Sequence, residues 1–369
     1  MVLTLRTWHL ALIPALVLGT VPAHAQGKSS PAPQPDQPSA SDLAAALDAE
    51  LFYELLVGEM SASQGDATNA IALFMDAARQ TQSPQLYQRA AELALQSRSG
   101  QRALIVANEW YKAFPQSRDA NRYMLQILLM LNRVSESQEY LAREVAWTPA
   151  ASKPATYLAI AQLYSRASDK AMAASVVEQA LQPDVKDPAL GPAAWATIGH
   201  LRLVAGQKDL ALQALEQAYD LGPRNGATAL LALELLETGS LSVEPMVQDY
   251  MQHQPAPTIQ MAYVRVLMEQ QRLEDAQKQL TSLLKAQPDM TDAWMAQASL
   301  HAQRAAWPQA QQALQRLESL LLQIPNEAPR THALTQAYVL GGRISLQQKD
   351  YPQALSLIHI SEPTRQEAI

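Results

Sequence analysis

The sequence predicts an all-α fold, an array of about nine helix-turn-helix units with the last one incomplete. Three observations carry this. Small residues recur at a nearly constant period: Ala70, Ala103, Ser137, Ala173, Ala211, Val243, Ala276, Ala310 and Ala354 are separated by 33, 34, 36, 38, 32, 33, 34 and 44 residues. Ala, Leu and Gln are abundant and Gly contributes only 13 of 369 residues, a composition that favours helix. No long run alternates apolar and polar residues, so little or no sheet is expected.

The N-terminus comes first. Arg6 is the only charge ahead of a mostly apolar run from Leu10 to Leu18, and Ala23-His24-Ala25 fits a small-x-small cleavage site. This is the pattern of a secretory signal peptide over residues 1–25, cut after Ala25, and it predicts a periplasmic protein. The apolar run is too short for a membrane anchor and is interrupted by Pro14. Cleavage would leave 27 basic against 35 acidic residues, net −8. Residues 26–41 hold Pro31, Pro33, Pro35 and Pro38 among Ser, Gln and Ala, and are expected to be a disordered linker. Ser41 and Asp42 then look like the cap of the first helix.

Residues 42–355 carry the repeats. Within each unit, bulk early in the first helix is followed by a small residue. Tyr157, Trp195 and Trp294 supply the bulk; Gly58, Ala91, Ala161, Gly199, Ala298 and Gly342 are the small residues, which let two helices approach closely. Gly65 and Gly206 fall at the turn, where positive φ is expected. The second helix carries the periodic small residue and often another seven on: Ala77, Ala180 and Ala218. Pro115, Pro149, Pro223 and Pro288 close units, because proline stops one helix and can start the next. The fifth unit, Pro192 to Asn225, is the most regular, with Arg202 in place of an expected aromatic. The sixth is the poorest, with Ser240 to Pro245 interrupting it. The 44-residue gap before Ala354 predicts a long second helix in unit eight, roughly Pro308 to Gln323, with 324–329 as a loop.

This spacing resembles the tetratricopeptide repeat (TPR), a 34-residue helical hairpin. The resemblance covers most of the chain and implies a TPR-like solenoid, a right-handed superhelix with one long groove, of the kind found in exported bacterial TPR proteins. The last unit departs from it. The string from Ser356 to Arg365 places Pro363 where a helix interior is needed. It resembles a translated sequencing adapter. Residues 356–369 are therefore expected to be non-native and the natural chain longer.

The search for chemistry excludes more than it finds. The sequence has no Gly-rich phosphate loop, no H-E-x-x-H, no G-x-S-x-G and no cysteine. His200, His253, His301 and His332 are scattered without metal-ligand spacing. Neither an enzyme, a cofactor nor a metal is expected. A net charge of −7 without a basic block argues against nucleic acid. Protein binding remains. In the TPR family, four positions of the first helix face the groove. Carried over, they select Glu92, Arg122, Gln126, Leu158, Gln162, His200, Met261, Arg265, Met268 and Met295. Such a mixed face suits an extended or helical protein segment. Two functions fit. One is a non-enzymatic periplasmic scaffold or adaptor in cell-envelope assembly or maintenance. The other is the helical arm of a larger secretion or polysaccharide-export protein whose C-terminal domain lies beyond this sequence.

Overall fold

The computed structural model describes residues 49–361. The expected signal peptide, linker, first cap and Pro363 lie outside them. The chain divides into two compact units, Met1–Phe52 and Tyr53–Ile369. Of the first, only residues 49–52 are described, and they open a helix; all that follows concerns the second.

Among the described residues there are eighteen α-helices and no strand. They pair into nine hairpins: α1 (Ala49–Ser63) with α2 (Ala67–Thr81), α3 (Pro84–Gln96) with α4 (Gly100–Ala113), α5 (Arg118–Met130) with α6 (Gln138–Trp147). Next come α7 (Lys153–Tyr164) with α8 (Lys170–Leu181), α9 (Gly191–Val204) with α10 (Lys208–Leu221), and α11 (Gly226–Glu237) with α12 (Glu244–Gln252). The last are α13 (Pro257–Glu269) with α14 (Leu273–Ala286), α15 (Thr291–Gln303) with α16 (Trp307–Leu321), and α17 (Glu327–Gln347) with α18 (Tyr351–Ser361).

Local chemistry starts these helices. Asp66, Ser117, Asp169 and Asn225 each accept a backbone N–H of the first turn they cap. Pro84, Pro154, Pro192, Pro245, Pro257 and Pro308 occupy the first two helical positions, where a missing N–H costs nothing. The closing prolines behave as the spacing predicts: Pro115, Pro149, Pro223 and Pro288 each follow the residue that caps α4, α6, α10 and α14.

The turn inside eight of the nine hairpins repeats one geometry. Gly65, Gly206 and Gly239 have positive φ, and so do Arg98, Asn132, Gln271, Ala305 and Lys349 at the equivalent place. Two backbone bonds accompany each; in hairpin five Gly206 N–H bonds Leu203 O at 2.9 Å and Gln207 N–H bonds Arg202 O at 2.8 Å. This is the Schellman closure of a helix C-terminus. The fourth hairpin turns differently, with Asn132 Oδ1 accepting Ser168 N–H at 2.9 Å.

All nine periodic positions are buried, Ala70 through Ala354, including Ser137 and Val243. The two that are not Ala close a 3₁₀ turn, Val134–Ser137 and Leu241–Val243, ahead of the shortened helices α6 and α12. Ser137 has a partner that explains it: its Oγ lies 2.8 Å from the Tyr164 hydroxyl. Gly199 is also required. An added Cβ would overlap Leu231 of the next hairpin and come within 3.2 Å of Ala214 Cβ. Tyr157 and Tyr164 are core, while Trp195 and Trp294 are half-buried, each with its indole N–H bonded to a backbone carbonyl, Val185 O at 3.1 Å and Pro288 O at 2.8 Å.

Two irregular gaps have distinct causes. The 38-residue gap holds an extra loop after α8. There Asp184 accepts Lys153 Nζ at 2.7 Å and the Tyr157 hydroxyl at 2.6 Å, and Val185 is buried. The 44-residue gap corrects part of the expectation from sequence: the second helix of hairpin eight, Trp307–Leu321, lies within two residues of the expected 308–323, but the loop expected at 324–329 gives way to helix from Glu327. That second helix, α16, is an ordinary 15 residues, and the extra length lies in α17, which has 21. Pro329 does not mark a loop but sits in the first turn of α17, where its absent N–H is harmless.

Candidate interaction surface

The candidate surface is the exposed face of the first helices. Of the residues that the sequence places there, Gln126 on α5, Leu158 and Gln162 on α7 and Arg265 on α13 are exposed. Leu158 is 60% exposed, a large apolar side chain left uncovered. Glu92, Arg122, His200, Met268 and Met295 are half-buried.

Met261 does not belong to the surface. It is 4% exposed and packs in the core that joins hairpins five to eight. The cause is the crowding of α13, which buries residues around most of its circumference: Ile259, Gln260, Met261, Tyr263, Val264, Val266 and Leu267. Met268 and Met295 also lean against core clusters, so the thioethers fill gaps between helices rather than offering a flexible contact face.

Polar contacts between consecutive first helices fix the spacing of this face. Arg89 on α3 holds Glu59 on α1, with Nε to Oε1 at 2.8 Å and NH2 to Oε2 at 2.7 Å. The Tyr123 hydroxyl on α5 donates to Glu92 Oε1 on α3 at 3.2 Å. His200 Nδ1 on α9 lies 2.8 Å from Glu234 Oε2 on α11. This carboxylate raises the His200 pKa against the opposing effect of burial. Glu92 and His200 are thus cross-braces of the array. Arg122 is braced within its own hairpin: Arg118 and Arg122 both converge on Glu144 Oε1, at 2.8 and 2.9 Å, and Glu144 is 8% exposed.

Sequence reasoning missed the acidic residues beside Arg265. Burial and the neighbouring Glu269 and Glu234 push the Glu237 carboxyl above its ordinary range, while Arg265 opposes the shift. A signal for one of them existed: Glu234 follows His200 by 34 residues, one repeat length. The departure at Arg202 also finds its reason, since its guanidinium bonds Glu178 on α8 and Gln207 Oε1 at 2.8 Å.

Among the described residues no group of His, Asp and Glu could hold a metal ion, and no helix is long and apolar enough to cross a membrane. His253, His301 and His332 each pair with a neighbour one turn away on the same helix, Asp249 O, Gln297 and Gln336.

No family model matches the chain, and no curated protein matches it. Solved structures do. One is PilW, a widely conserved type IV pilus biogenesis factor, 16% identical over 57% of this chain and 91% of that one, with a TM-score of 0.40. Another is the C-terminal part of a TPR repeat-containing protein from Cytophaga hutchinsonii, 17% identical over 67% of this chain and 97% of that one, with a TM-score of 0.44.

Proposed function

We propose that this protein is a non-enzymatic scaffold of the bacterial periplasm that binds a segment of another envelope protein along its first-helix face. The observation that carries this reading is the combination of a braced backbone with uncovered side chains. Glu59–Arg89 and Glu92–Tyr123 tie α1, α3 and α5 together and His200–Glu234 ties α9 to α11, while Gln126 on α5, Leu158 and Gln162 on α7 and Arg265 on α13 are left exposed. Where it is braced, such a surface is preorganised, and a partner need not order it on binding. Amides that donate and accept, an apolar side chain and a guanidinium suit the backbone and mixed side chains of a protein segment. The leader-like residues 1–25 support the compartment.

The test uses Leu158→Asp with Gln126→Ala. Both side chains are exposed and unbraced, so the fold should survive, as a far-UV circular dichroism melt would show. Envelope proteins captured by the wild-type chain should be lost by the double variant. Equal capture by a folded double variant overturns the assignment of the face. Arg122 and Arg265 are unsuited to this test, because a carboxylate placed at either would face acidic neighbours, Glu144 at the first and Glu237 at the second.

A further inference from the structure

A second feature lies apart from that face. A hollow of about 240 Å³ sits between α15 and α16, lined by Trp294, Gln297, His301, Gln309, Gln312 and Arg316 above the buried Ala313. The first three residues follow one stripe of α15 and the next three one stripe of α16, by their three- and four-residue spacing.

The α15 side is fixed by its own bonds. The Trp294 indole N–H donates to Pro288 O at 2.8 Å, so the ring has one orientation. Gln277 Nε2 donates to Gln297 Oε1 at 3.3 Å, and the Gln297 amide in turn meets His301 Nε2 at 2.7 Å. That order makes His301 Nε2 the acceptor and its imidazole neutral. Burial and the nearby Arg304 favour the same state by lowering its pKa. On the α16 side Arg316 is held at Asp289 Oδ1, 3.0 Å away. Gln309 and Gln312 are exposed and keep their amides for a ligand.

The chemistry narrows the ligand class. An apolar side chain would strip water from several amides without replacing its hydrogen bonds. A cation finds no carboxylate in the lining. An anion finds one guanidinium, which Asp289 already neutralises. A polyhydroxylated ring satisfies every part: hydroxyls donate and accept, as carboxamides do. The C–H face of the ring can lie on the electron-rich face of the indole.

We propose that this hollow binds one neutral pyranose unit of a glycan, stacked on Trp294 and hydrogen-bonded to Gln309 and Gln312. The assignment does not depend on the protein-binding face, and either can fail alone.

The experiment titrates the whole chain with methyl glucoside and with N-acetylglucosamine, read by saturation-transfer NMR. A proline-rich peptide serves as the competing ligand. At least one sugar should bind saturably in the millimolar range expected of so small a ligand, with transfer strongest at its ring C–H protons. Gln309→Ala with Gln312→Ala removes two exposed side chains, and should weaken binding about tenfold while leaving the melt unchanged. Trp294→Phe keeps a smaller ring and should weaken it by about threefold. The proposal is overturned if neither sugar saturates below about 50 mM. It is equally overturned if the glutamine variant binds as the wild type does, or if the peptide displaces the sugar at the hollow.

Discussion

Replacing Ala305 by glycine should stabilise this protein. Ala305 occupies the turn of hairpin eight with φ at 55°, and the corresponding Gly206 of hairpin five has φ at 74°. An L-residue in the left-handed region is strained by about 1–2 kcal/mol. Glycine removes that strain but has more freedom to lose from the unfolded chain, worth about 0.4–1 kcal/mol. The difference leaves about 0.5–1 kcal/mol in favour of glycine. No packing effect confuses the reverse change, because a Cβ added at Gly206 meets nothing within 4 Å. Gly206→Ala should therefore destabilise by about the same 0.5–1 kcal/mol, the backbone strain less the unfolded-chain entropy that alanine saves. Gln271 and Lys349, with φ at 61° and 63°, extend the series. Because they lie in separate hairpins, glycine at all three should add up to about 2 kcal/mol. Urea unfolding followed by far-UV circular dichroism reads these shifts as changes of midpoint at constant slope. The reasoning is refuted if Ala305→Gly lowers the midpoint, or if Gly206→Ala leaves it unmoved.

Two further predictions concern charged contacts. The His200 pKa is raised in the folded state by Glu234, so the pair's stabilisation is fully present below the unfolded value of about 6.5. It should fade as pH rises through the raised folded value. Glu234→Gln should flatten this part of the stability–pH curve and lower the titration midpoint of the His200 ring by NMR; an unchanged midpoint would exclude the brace. Asp184→Ala should cost about 3 kcal/mol, since Lys153 and the Tyr157 hydroxyl lose their buried partner. Adding Lys153→Met should restore much of that in urea unfolding, and no restoration would mean that the charge pair is not what holds the loop.

Much of the array is legible in the sequence because the requirement behind it repeats. Wherever two helices cross closely a small residue is needed, so Ala70, Ala211 and Ala310 announce the period. The turn is legible only where it is glycine. At Arg98, Gln271 and Ala305 the two Schellman bonds hold a left-handed backbone that the side chain gives no reason to expect. Pro329 was ambiguous for a physical reason: proline ends helices and also begins them. Met261 was misplaced because a repeat register says which way a residue faces in an average hairpin. It does not say that α13 is packed on nearly every side. The braces are half-legible. His200 and Glu234 are one repeat apart, but a spacing cannot show that a bond forms across it.

The central claim, that the first-helix face takes a protein partner, is tested most directly by site-specific photo-crosslinking in the bacterial envelope. A photoreactive amino acid would replace Gln126, Leu158, Gln162 or Arg265 in turn. Met172 on α8 and Leu210 on α10, exposed on second helices, serve as controls. The account predicts one discrete crosslinked partner shared by the four first-helix positions and missing from the controls. A partner trapped at Met172 and Leu210 while all four first-helix positions stay uncrosslinked would contradict it.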